Sequence, residues 1–205
     1  MHSNTCGGVR HMIVRLTMAL TMSIPSLASG HAAEAGPPDP ASHAVPEWEQ
    51  PEVFALNREP MKSPFFNYES VALARAGDMA RSNRYRSLDG TWSFRWTKGV
   101  DNRPADFYKP GYDVSTWKSI EVPGMMAAQG HGLPEYYNIT YPFPMNEPFI
   151  PHDANEVGSY RRDFELPAGW AGRQVFLHIG AAGAAYYIWV NGAQVGYSED
   201  SKLPS

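Results

Sequence analysis

Cysteine is almost absent: among 205 residues only Cys6 carries a thiol, so no disulfide can close within the chain and core burial must hold the fold together. Long apolar runs are missing too. The best stretch, Leu16 to Leu27, falls short of the roughly 20 residues that a membrane span needs. Positive charge is sparse and scattered, 17 Lys and Arg against 21 Asp and Glu, which excludes a phosphate-tracking patch and leaves nucleic acid without a surface to hold. No Gly-x-Ser-x-Gly elbow is present, so nothing supports a serine hydrolase. Gly180 to Ala185 is glycine-rich but lacks the Lys-Ser/Thr of a phosphate loop and the spacing of a dinucleotide fingerprint; it reads as a close-packed turn. His43, His131, His152 and His178 stand singly, without metal-ligand spacing. Glu135, Glu147, Asp153, Glu156, Glu199 and Asp200 show no acid/base pairing and read as solvated charge.

The first 35 residues read as an address. A short basic start around Arg10 and Arg15 precedes the apolar run, and Ala33-Glu34-Ala35 fits the small-x-small pattern of leader cleavage. Met12 serves as well as Met1 for a start. The expectation is an exported protein, periplasmic or secreted, whose mature chain has no cysteine. Losing residues 1–35 removes Arg10, Arg15 and Glu34, so the formal charge becomes 15 − 20 = −5. Residues 36–86 then form a linker and an extended arm. Gly36 to Pro40 cannot pack a core, while Val53, Phe54, Leu56, Phe65 and Phe66 supply apolar anchors that an arm could lay on another surface. Val71 to Ala76 can make a short helix before Gly77.

From Ser87 to Ser205 the pattern is that of strands. Trp92, Phe94 and Trp96 alternate with Thr91, Ser93 and Arg95, a period of two. Gly158 to Leu166 and Gln174 to Ile179 alternate in the same way, with His178 as a structural side chain. Tyr186 to Val190, then Asn191-Gly192, then a run through Val195 and Tyr197 is a hairpin, because Asn and Gly tolerate the positive φ of a type I′ turn. No long amphipathic helical repeat occurs, so the fold class expected is all-β, an antiparallel sandwich or jelly roll. The final hairpin strand has an edge open to pairing, which suggests a domain cut short at its C-terminal end.

Leu133 to Pro151 crowds prolines and aromatics into a loop that neither a helix nor a central strand accepts. Aromatic rings pack on the apolar face of a pyranose and an amide such as Asn138 pairs with vicinal hydroxyls, so the loop suits a sugar. A structural proline-rich crossing explains the same composition. Asn138-Ile139-Thr140 also matches a glycosylation sequon.

Several motifs in order carry a resemblance: Trp48-Glu49-Gln50-Pro51, Leu56-Asn57-Arg58, Arg86 to Phe94 with its Leu88-Asp89-Gly90 turn, Val122 to Met125, Tyr137 to Pro142, and Trp189 to Ser205. From about Glu47 onward the chain resembles the start of the large bacterial β-galactosidases of glycoside hydrolase family 2. The Leu-Asp-Gly-x-Trp turn is common to the family, whereas the Trp48 arm, the Tyr137 to Pro142 loop and the Gly196 to Ser205 ending resemble the β-galactosidases more narrowly.

That resemblance implies a sugar-binding jelly-roll β-sandwich over residues 87–205, incomplete at its end. It also implies that Asn138 reaches into the active site and contacts the galactosyl group, with Tyr137 and Tyr141 holding the loop. It places the two catalytic glutamates of a retaining mechanism, and the main Mg²⁺ and Na⁺ ligands, beyond Ser205; no catalytic or metal-binding residue is assigned here. A structural Mg²⁺ of some members would fall near Glu47, Gln50 and Glu199, where this chain departs from the pattern. The substrate implied is a β-galactoside, the full-length protein is expected to be a homo-oligomer, and this piece alone is expected to be inactive. The alternatives are another family-2 glycosidase, such as a β-glucuronidase or β-mannosidase, and an exported carbohydrate-binding module without catalysis.

Overall fold

The computed structural model describes residues 45–134, 143–183, 185–199 and 202–205, and the backbone of residues 13–21. Among the described residues seven strands form one antiparallel sheet: β1 (Ile13–Thr21), β2 (Ala55–Leu56), β3 (Gly90–Thr97), β4 (Lys118–Val122), β5 (Val157–Glu165), β6 (Ala185–Val190) and β7 (Ala193–Ser198). Their order across the sheet is β2-β7-β6-β1-β5-β3-β4. The α-helix α1 (Val71–Ala76) has the bounds expected from the sequence: Ser70 accepts the Leu73 amide at its start and Gly77 turns left-handed at its end. Among the described residues no helix is long and apolar enough to cross a membrane.

The fold is all-β with almost no helix, consistent with a β-sandwich, and both faces of the sheet are packed. On one face Trp92 and Phe94 of β3, Ile120 of β4, Tyr160 of β5 and Tyr186 and Ile188 of β6 form a buried cluster. Removing each such side chain from water contributes roughly 1.5–3 kcal/mol. Leu177, Ile179 and Met126 cover this cluster, and Ile179 and Ser205 exchange two backbone hydrogen bonds of 2.7 and 2.9 Å above it. On the opposite face Ala185, Tyr187 and Tyr197 pack with Trp48 and Leu56, beside a second group of Val100, Phe107 and Val157. The alternation of aromatic residues along β6 thus feeds both layers, Tyr186 and Ile188 to one and Tyr187 and Trp189 to the other.

The β6–β7 hairpin is tight, as its Asn-Gly signal predicts: φ is 52° at Asn191 and 91° at Gly192. On β5, Gly158 is required for a different reason. A Cβ there would stand 2.8 Å from Tyr160 Cε2 and 2.9 Å from Phe94 Cε2, so the ring pair of the core occupies that space.

Three features depart from expectation. Gln174 to Ile179 forms no sheet ladder beyond the Ile179–Ser205 exchange; Val175 and Phe176 are exposed, although Leu177 and Ile179 do reach the core. Alternation alone makes no strand without a partner at hydrogen-bonding distance. The β7 edge is not bare, because the arm returns: Ala55 and Leu56 pair with Ser198 and Tyr197. Finally, Ile13–Thr21, read from sequence as part of a leader, stands as a strand between β5 and β6, with nine residue pairs to the first and six to the second.

Candidate functional site: the loop base and the docked arm

The sugar-suited loop begins at its anchors. Asn138, Tyr137 and Tyr141 lie outside the described residues, as do Glu135, Asp200 and His43. Before the loop, the His131 ring packs on Phe94 with centroids 4.6 Å apart and its amide bonds the Met126 carbonyl. After it, Phe149 closes a turn onto Asn146 and Ile150 is buried. The loop is thus pinned at both ends to the core, while Leu133, Met145 and Phe149 project into solvent beside it. Phe94, Trp96, Trp117, Lys118 and His131 line an open cavity of about 290 Å³ at this base. A broader polar cleft of about 530 Å³ lies along Thr91, Ser93, Asp113, Arg162 and Asp163.

Against the opposite face lies the arm. Trp48 meets Tyr187 edge-on at 5.9 Å and carries the Arg103 guanidinium over its own ring at 5.6 Å. Asn57 Nδ2 donates to the Val195 carbonyl, Arg58 Nη1 to Ser198 Oγ, and the Glu199 amide to the Phe54 carbonyl. Glu47 accepts the Tyr187 hydroxyl and Glu199 accepts that of Tyr197. Burial first, and then these carboxylates, push both tyrosines well above their ordinary value, so the hydroxyls stay protonated and remain donors. Burial alone pushes Tyr160 up to about 12.

The residues that the resemblance places near a structural magnesium have protein partners. Glu47 and Glu199 are engaged by tyrosine hydroxyls, and the Gln50 amide donates to the Val45 carbonyl. Among the described residues no group of three or more His, Cys, Asp or Glu converges to hold a metal ion.

Sequence reasoning passed over one cluster. His152, which stands singly in the sequence, faces Glu49 at 2.8 Å and Asp101 at 3.2 Å. These residues lie 103 and 51 positions apart in the chain, so no local signal could reveal them. His178 is exposed, and Arg161 is buried against a loop.

Comparison with known proteins now places the chain. The profile described as glycosyl hydrolases family 2, sugar binding domain, matches residues 85–205, more than half of the sequence. The chain belongs to glycoside hydrolase family 2. Its sugar-binding domain includes strands β3 to β7, and the arm and β1 precede the matched region. A β-galactosidase of Priestia megaterium is 37% identical over 169 residues, which is 80% of this chain and 16% of that protein. One from Halalkalibacterium halodurans is 40% identical over 157 residues, 75% of this chain and 15% of the relative. The β-galactosidase large subunit of Leuconostoc lactis is 34% identical over 176 residues, 78% of this chain and 28% of the subunit. The family-2 chain therefore spans 15–28% of these relatives' length.

Proposed function

We propose that this chain is the N-terminal, sugar-binding part of a β-galactosidase that releases terminal non-reducing β-D-galactose, and that Asn138 contributes an amide to the galactosyl group. The observation that carries the reading is the naming of the relatives: proteins 34–40% identical across 75–80% of this chain are β-galactosidases. The loop's composition supports it, since proline-stiffened backbone with aromatic faces and an amide can hold a hexose without ordering a flexible segment on binding. The sandwich serves as the rigid mount: His131 on Phe94 and buried Ile150 fix the loop's two ends. Catalytic glutamates, magnesium and sodium belong to the remainder of such a protein, and the full-length enzyme is a homo-oligomer.

The test is made on the protein that carries this domain together with a catalytic barrel. It should hydrolyse p-nitrophenyl β-galactoside in preference to the β-glucuronide and β-mannoside. Asn138→Ala should lower its kcat/KM by about 10- to 100-fold, in the range expected when a buried sugar hydroxyl is left without its partner, roughly 1–3 kcal/mol. A preference for either of the other two glycosides would overturn the substrate assignment, and an unchanged kcat/KM would remove Asn138 from the site.

A further inference from the structure

Two carboxylates approach one imidazole through its two nitrogens. His152 Nε2 stands 2.8 Å from Glu49 Oε1, and Nδ1 stands 3.2 Å from both oxygens of Asp101. A neutral imidazole has one N–H and one lone pair, so it can donate to only one carboxylate and turns its lone pair on the other. Facing both, the ring is satisfied only as imidazolium, with each N–H donated. The three groups come from three separate segments: Glu49 from the 3-10 turn of the arm (Glu47–Glu49), Asp101 from the turn Val100–Asn102, and His152 from the approach to β5.

Exposure says which contact matters. The Asp101 side chain is 73% exposed, and a pair at such a site contributes little. The Glu49 side chain is only 9% exposed, so its charge has little water and depends on a partner. His152 itself is held in place, because its carbonyl accepts the Val100 amide at 2.9 Å, and a Cβ at Gly99 would come within 2.8 Å of the same oxygen. Of the neighbouring charged groups, Arg103 lies over the Trp48 ring, Glu47 accepts the Tyr187 hydroxyl, and Asp153 is exposed.

We propose that His152, as imidazolium, is the clasp that docks the N-terminal arm onto the sandwich, and that the arm loosens when this proton leaves. The bond to Glu49, with a smaller contribution from Asp101, holds the His152 proton above its ordinary 6.5. The sign follows from linkage: a group whose folded value is raised contributes its full stabilisation below the unfolded value and loses it as pH rises through the folded one. Docking is therefore tightest in acid and weakens on the alkaline side. The role is one of positioning and stands whether or not the protein acts on galactosides.

The experiment follows amide exchange of residues 47–56 in the whole chain across pH, with rates corrected for their intrinsic pH dependence. The titration of His152 is read in parallel from its ring C–H resonances. Protection of the arm should fall about tenfold as His152 deprotonates, with a midpoint above 6.5. His152→Gln should give the low protection at every pH, and Glu49→Gln should move the His152 midpoint downward while β3 to β6 stay protected. Equal arm protection in His152→Gln and the unsubstituted protein across pH would overturn the proposal. So would a midpoint in the unsubstituted protein at or below 6.5, a result that needs no variant to fold.

Discussion

Arg161 offers the sharpest test of the packing. It lies on β5 and is 4% exposed, with its guanidinium under the loop that joins Phe107 to Tyr112. Nη1 donates to the Tyr112 carbonyl at 2.9 Å and to that of Phe107 at 3.3 Å, while Nη2 donates to Pro110 at 2.8 Å. Arg161→Met keeps most of the aliphatic stem and removes every one of these donors. Two of the bonds are short, and hydrogen bonds to a charged donor contribute about 1.5–3 kcal/mol each. Part of the loop can rehydrate its freed carbonyls, so we expect a loss of about 3–5 kcal/mol, against a total stability of roughly 5–15 kcal/mol for a domain. Arg162 is the control next door. It donates to the Leu88 and Asp89 carbonyls from a half-buried position and lies over Trp92, and water can replace it there. Arg162→Met should cost only about 1 kcal/mol. Urea unfolding followed by tryptophan fluorescence measures both, read from midpoint shifts at a common m value. A cost below about 1 kcal/mol for Arg161→Met, or equal costs for the two, would refute the claim that the loop hangs on Arg161.

The core assignment predicts that Phe94→Ala, at 1% exposure, costs about 3–5 kcal/mol in the same assay. Phe65→Ala, at 75% exposure, should stay within about 0.5 kcal/mol of the parent. The leader reading predicts that mass spectrometry of protein recovered outside the cytoplasm finds an N-terminus at Gly36; recovery there with Ile13–Thr21 still attached would sink it.

What the sequence made legible was whatever is written locally. The period of two in Trp92, Phe94 and Trp96 produced β3, the Asn191-Gly192 pair produced the hairpin, and Ser70 with Gly77 bounds α1. Strand β4 escaped notice because Lys118–Val122 carries only one buried side chain, Ile120, too few for a period to show. Gln174 to Ile179 failed the other way: it has the alternation but no ladder, since pairing depends on a second strand that its own residues do not specify. The arm's contacts and the Glu49–His152–Asp101 group are products of tertiary approach and leave no trace in local spacing. Asn138 rests on the resemblance together with the loop's composition, and it lies outside the described residues.

Strand β1 has a consequence in time. Its partners begin at Val157 and Ala185, so Thr21 must wait for Val157, 136 residues later, before its first ladder contact can form. At about 5–20 residues per second of synthesis, that delay is roughly 7–30 seconds. Closing so large a loop is also slow to nucleate, because its entropy is lost before any contact offsets it. Throughout that interval Ile13–Thr21 is a nascent segment without its sheet, and whatever recognises it first competes only with unstructured chain. The order in which the residues emerge therefore sets when β1 can join the sheet.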